Sequence, residues 1–174
     1  MLQSRDVARI RKLPPLPDIF AIPTEKERFH ALQDFLFCKS IKMELPLTDA
    51  EQKFRDTRWM FTAIVGDGWP SVFEDSFDYG RIAGIVEVLR FCGQDLTADS
   101  VEEARELFYN GRTDLTTLQA RHDAGIRGFR HPSERRRFYA LGEVVEQLPY
   151  SEHYWELLRW PEAHRSEFVD FPRP

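Results

Sequence analysis

The residues able to do chemistry in this chain are present but scattered. His30, His122, His131, His153 and His164 include no i, i+4 pair, no HExxH order and no neighbouring cysteine. Two ring nitrogens on one helix face, as a zinc site needs, are therefore not specified. Ser71, Ser76 and Ser133 lack the GxSxG elbow that presents a nucleophile. Gly66-Asp67-Gly68 offers one carboxylate and no GxxxxGK phosphate cradle. The pairs Glu74-Asp75 and Glu102-Glu103 could do acid–base work only if burial set their pKa values apart. Their neighbours place them at helix ends, which favour acidic side chains anyway. The expectation is no catalytic residue, no cofactor and no metal; the contrary reading is a hydrolase using the carboxylates near Glu74.

Charge is unevenly placed along a chain whose formal net charge is −5. Residues 1–43 carry eight basic and five acidic side chains, residues 44–110 six and fourteen, and residues 111–174 ten of each. The middle is thus the acidic region. Glu74, Asp75, Asp78, Asp99, Glu102, Glu103 and Glu106 fall at helix ends and on one helix face, and they form the candidate partner-binding set. The run Arg127, Arg130, His131, Arg135, Arg136, Arg137 is the best basic candidate. It has no aromatic interleaving and no reading motif, so direct nucleic-acid binding is not expected. Such a patch is better suited to meeting carboxylates within the fold or on a partner.

The elements that position these groups read as helices. Phe54, Phe61, Ile64 and Val65 form one apolar stripe, ended by Gly66-Asp67-Gly68. Pro70 suits a helix start, and Val72, Phe73 and Phe77 give the next piece one apolar side. Asp78 can cap a helix carrying Ile82, Ile85, Val86, Leu89 and Cys92, closed by Gly93. Thr24 with Glu27, Thr48 with Glu51, and Ser100 with Glu103 have capping-box spacing. Val101, Ala104, Leu107 and Phe108 continue inward after the third, to Asn110-Gly111. Residues 112–132 support a short helix through Leu115, Leu118 and Ile126, ending near Gly125 or Gly128. Ser133 then caps a helix carrying Phe138, Leu141, Val144, Val145 and Leu148, stopped by Pro149. Ser151 starts another with Tyr154, Trp155, Leu157 and Leu158, stopped by Pro161.

The order GDGWPSVFEDS followed by DYGRIAGIVEVLRFCG resembles a family of small all-helical bacterial proteins of mostly unassigned function, which includes a nineteen-kilodalton DNA mimic. Its signature is a Gly-Gly-Phe-x-x-Phe-Phe-x-Asn-like turn and a later helix ending near an Ile-Gly-Ala-like motif. Asp67-Gly68-Trp69, Val72-Phe73, Asp75-Ser76 and Phe91-Cys92-Gly93 are the matching positions, with Asp67 in place of the first Gly and Asp75 in place of the Asn. The resemblance spans residues 48 to 160 and implies an all-helical fold whose acidic face occupies a DNA-binding protein.

The sequence therefore predicts an all-α protein of 174 residues: an extended Pro-rich N-terminal arm over 1–23, one helical domain of six to eight helices over 24–165, and an extended tail over 166–174. Phe61, Ile64, Val65, Phe73, Ile82, Ile85, Val86, Leu89, Leu107 and Leu141 make up the expected core. The arm carries Pro14, Pro15, Pro17 and Pro23 and would lie on the body through Leu16, Ile19 and Phe20. No apolar run reaches the ~20 residues of a membrane helix, and no apolar segment follows the basic N-terminal residues, so a cytoplasmic location is expected. Cys38 and Cys92 read as buried thiols. The functional expectation is a non-enzymatic protein-binding module acting through the acidic face. Its partner is another protein, of which a nucleic-acid-binding protein is one case. The alternative is an immunity-type protein neutralising a toxin. No membrane partner is expected, and a homodimer is compatible with the sequence.

Overall fold

The computed structural model describes residues 4–127 and 129–172, and every regular element among them is helical. The α-helices in chain order are α1 (Ser4–Lys12), α2 (Leu16–Phe20), α3 (Glu25–Phe37), α4 (Asp49–Asp67), α5 (Trp69–Ser71), α6 (Tyr79–Phe91), α7 (Asp95–Tyr109), α8 (Leu118–Arg127), α9 (Pro132–Val145) and α10 (Arg159–Ala163). The all-α expectation holds, and the count is higher than six to eight. Two single wide turns, Cys38–Lys42 and Val72–Ser76, have π geometry. Their closing bonds run from the Met43 N–H to the Cys38 carbonyl at 2.9 Å and from the Phe77 N–H to the Val72 carbonyl at 3.0 Å. No helix of the described residues is long and apolar enough to cross a membrane.

Residues 1–23 are not an extended arm where the structure describes them. Pro15 precedes α2 and Pro17 lies in its first turn, where a missing N–H leaves no hydrogen bond unmade. Leu16, Ile19 and Phe20 are buried, as is Ile10 of α1. A short helix thus brings down the side chains that an extended arm was expected to use. Other boundaries differ for equally local reasons. Thr24 precedes α3 without a side-chain cap. Ser100 lies inside α7 and donates its hydroxyl to the Leu96 carbonyl at 2.9 Å, so it caps nothing. His131, rather than Ser133, stands before α9, and the Glu134 carboxylate accepts from the Arg130 and His131 N–H groups. Pro161 lies within the first turn of α10 instead of stopping a helix. Thr48 with Glu51 is the box that forms as read: Glu51 accepts from the Thr48 N–H at 3.0 Å and Thr48 Oγ1 from the Glu51 N–H at 3.2 Å. The side chains of Leu118, Ile126 and Arg127, and all of Gly128, lie outside the described residues.

The chain divides into two compact units, Met1–Arg55 with Leu158–Pro174, and Asp56–Leu157. The first encloses Phe29, Leu32, Phe35, Leu36 and Phe54. Its C-terminal segment supplies Phe168, 5.9 Å from the Phe20 ring, and Phe171, 4.9 Å from the Phe35 ring. Lys39 and Glu51 are buried beside them, 2.7 Å apart.

The second unit is built on aromatic rings. Phe73 packs 5.0 Å from Trp69, 5.4 Å from Phe108 and 5.1 Å from Phe138. The indole N–H of Trp69 donates to the Phe138 carbonyl at 2.9 Å, so the largest side chain in this cluster leaves no polar atom unmet. Gly142 of α9 lies against the same indole. Asp78 caps α6 by accepting from the Arg81 N–H at 2.9 Å, and Ile82, Ile85, Val86 and Leu89 are buried as read. Two of the expected core residues differ. Val65 is 60% exposed because it sits about 100° round α4 from the buried Ile64. Leu107 is only half-buried, because Val101, Ala104 and Phe108 hold the inner line of α7. Cys38 and Cys92 are free and buried.

Candidate functional site: the acidic surface of the second unit

The second unit carries eighteen carboxylates and eleven arginines, net −7, and has no lysine; the first carries thirteen basic and eleven acidic side chains, net +2. The excess negative charge therefore belongs to the unit that holds every acidic candidate.

Helix α7 displays four of them. Asp99, Glu102 and Glu106 follow one another at i, i+3 and i+7, with Glu103 beside them, which puts them along one side of the helix. None of the four is buried. Arg90 of α6 reaches both Asp99, at 3.0 Å, and Glu102. Arg105 approaches Glu106 at 3.2 Å and Glu102 at 3.6 Å, with its guanidinium 4.4 Å from the centre of the Tyr79 ring. The Tyr79 hydroxyl donates to Glu106 at 2.7 Å. Arg137 of α9 donates twice to Glu103, through Nε and Nη2, both at 2.6 Å, the paired geometry that a guanidinium offers a carboxylate.

These contacts move the titrations as expected. The hydrogen bonds from Arg137 hold the Glu103 carboxyl below its usual range. The bond to Glu106 raises the Tyr79 phenol. Both Arg90 and Arg137 are raised by the carboxylates they serve.

The other three candidates lie on different elements. Asp78 is engaged as the cap of α6. Glu74 and Asp75 occupy the π turn, against which α8 packs. Partial burial raises the Glu74 carboxyl, as does the Asp75 charge, while His122 pulls it the other way. The structure thus groups Asp99, Glu102, Glu103 and Glu106 on α7 and leaves Glu74, Asp75 and Asp78 on their own segments. Within the basic run, Arg137 meets a carboxylate and Arg135 lies 5.8 Å from the centre of the Tyr139 ring.

Of the residues that brace this row, sequence reading named Arg137, in a basic run expected to meet carboxylates, and missed Arg90 and Tyr79. The i, i+3 pair Glu102–Arg105 was legible on one helix. Arg90, Tyr79 and Arg137 come from other helices, and nothing local to them signals the pairing. Among the described residues no three His, Cys, Asp or Glu side chains are grouped so as to hold a metal ion.

Compared with known protein families, characterised proteins and solved structures, the chain matches none.

Proposed function

We propose that this protein acts by binding another protein through the acidic surface of its second unit. The observation that supports this is the carboxylate row of α7, fixed in place by Arg90, Arg105, Arg137 and Tyr79. Braced side chains lose less freedom on meeting a partner than free ones. The net −7 of the unit adds long-range attraction for a basic partner, which acts chiefly on the association rate.

Occupation of a nucleic-acid-binding protein is one version of this role, and charge density weighs on it. Asp99 to Glu106 spans seven residues, about 10.5 Å along a helix rising ~1.5 Å per residue. Duplex DNA of that length presents roughly six phosphate charges at ~1.7 Å each. Helix α7 offers four carboxylates there, and the three bridging arginines return three positive charges. A row so neutralised imitates a duplex poorly, which favours ordinary protein recognition over mimicry. An immunity-type role, with a toxin as the partner, fits the same surface.

The test is capture from the native cell extract, repeated with Glu102→Lys/Glu103→Lys and with duplex DNA as competitor. Ordinary recognition predicts a partner released by salt and lost on charge reversal, but not displaced by DNA. Displacement by DNA of a nucleic-acid-binding partner would establish mimicry instead. Capture indifferent to both salt and charge reversal would remove the acidic surface from the function.

A further inference from the structure

We infer that a depression between the start of α7 and the end of α9 is a socket for one apolar side chain carried on a cationic segment of the partner. This deepens the protein-binding reading given above and rests on it.

The depression has a volume of about 230 Å³ and is walled by Asp95, Leu96, Thr97, Val144, Leu148 and Ser151, all within the second unit. Its apolar rim is unusually open to solvent. Leu96, which lines it, is 72% exposed, beside the half-buried Val144. An exposed apolar side chain at a concave site edged by polar residues is what recognition surfaces present.

The start of α7 also faces the site. Gln94, the residue before α7, gives its side-chain amide to Glu156 at 3.2 Å and leaves the first turn of α7 without a side-chain cap. An incoming backbone carbonyl would meet that need.

Charge fixes the kind of partner. The framing stretches 93–103 and 138–157 hold eight carboxylates and no lysine or arginine. Arg90 takes up Asp99 and Glu102, and Arg137 takes up Glu103. Asp95, Glu143 and Glu146 make no ion pair among the described residues. A Lys- or Arg-flanked apolar residue is complementary to that arrangement. An isologous pairing of two copies would set carboxylate against carboxylate.

The experiment uses the full chain, isotope-labelled, titrated with four synthetic peptides of alternating lysine and glycine. They differ only at a central residue, which is Leu, Phe, Trp or Ala. Resonance shifts at Gln94 to Thr97 and Val144 to Ser151 report the site, and fluorescence anisotropy gives the affinity. At least one apolar-centred peptide is expected to bind about tenfold tighter than the Ala peptide, equivalent to about 1.4 kcal/mol. Leu96→Asp, on the exposed rim, should abolish that preference, and Asp95→Lys with Glu143→Lys should weaken all four peptides. Equal binding of the four peptides that still responds to charge reversal would overturn the socket and leave the acidic surface standing. No binding, or binding indifferent to Leu96→Asp and to every charge reversal, would overturn both.

Discussion

In the first unit the decisive ion pair is inside. Lys39 is 4% and Glu51 0% exposed, and the ammonium group spends its three donors on both Glu51 oxygens and the Val169 carbonyl, at 2.8, 2.7 and 2.8 Å. Glu51 also accepts from the Thr48 and Val169 N–H groups. In the second unit the interior is aromatic apart from the buried Asp56 carboxylate, which Arg81 holds at 2.6 and 2.8 Å, while Arg90, Arg105 and Arg137 meet the α7 carboxylates at the surface. The difference teaches where charge can be changed freely. A buried pair whose lone pairs and protons are all used cannot lose one partner without stranding the other. An exposed pair returns both partners to water. The tolerant charges are those of the exposed α7 row, and that surface is the one free to be shaped for a partner.

That contrast can be broken most severely at Glu51. Glu51→Ala should cost about 3–5 kcal/mol by leaving the Lys39 ammonium buried alone. Urea unfolding would show it, and adding Lys39→Met should restore part of the loss. The remainder belongs to the Thr48 and Val169 N–H groups that Glu51 also serves. A loss below about 1 kcal/mol would mean that the first unit does not depend on its pair.

The matching change in the second unit is Phe73→Ala, expected to cost about 3–5 kcal/mol for a fully buried ring. Gly142→Ala sharpens the point from the other side. A Cβ there would meet Trp69 Cγ at 2.5 Å and Cδ1 at 2.6 Å, and the cost of overpacking is about 1–3 kcal/mol. Loss of the native Trp fluorescence with little loss of helical dichroism would place the damage at that contact.

Alkaline pH should act on the second unit through its buried phenols. Burial pushes Tyr154 up to about 12 and raises Tyr109 as well. The folded state thus favours the neutral form. Its contribution is complete below the ordinary value of about 10 and is lost as pH rises through about 12. The thermal midpoint should fall between those two values, and Tyr154→Phe should make that fall shallower.

The smallest effect belongs to Arg137→Ala, which frees Glu103 at an exposed site. At neutral pH the unfolding midpoint should scarcely move. Because Arg137 holds the Glu103 carboxyl low, its contribution is present above the ordinary carboxylate value and fades as pH falls. The variant should lose that slight acid sensitivity while partner binding changes more than stability does.

Much of the helix order was legible in single residues. Gly68 at φ 86°, Gly93 at φ 77° and Asn110 at φ 48° are where the chain leaves α4, α6 and α7. Each was readable because residue type alone makes left-handed backbone accessible. The Asp78 cap and the Thr48–Glu51 box were readable because their partners lie three residues away. Two of the failures share one cause. Ser100 and Ser133 were read as caps, but packing began α7 at Asp95 and α9 at Pro132, so both residues fell inside the helices. That misplacement put Leu96 in a loop and hid the depression it lines.

What the sequence determined by itself was local: helical periodicity, the glycine and proline boundaries, and an acidic middle. These follow from groups within a turn or two of each other. Tertiary structure decided which carboxylates act together. Glu103 and Arg137 are thirty-four positions apart, and Tyr79 and Glu106 twenty-seven. No local pattern encodes such pairings, because they depend on which faces α6, α7 and α9 bury against one another. The same is true of Lys39, whose ammonium is buried only because folding closes Glu51 and Val169 around it.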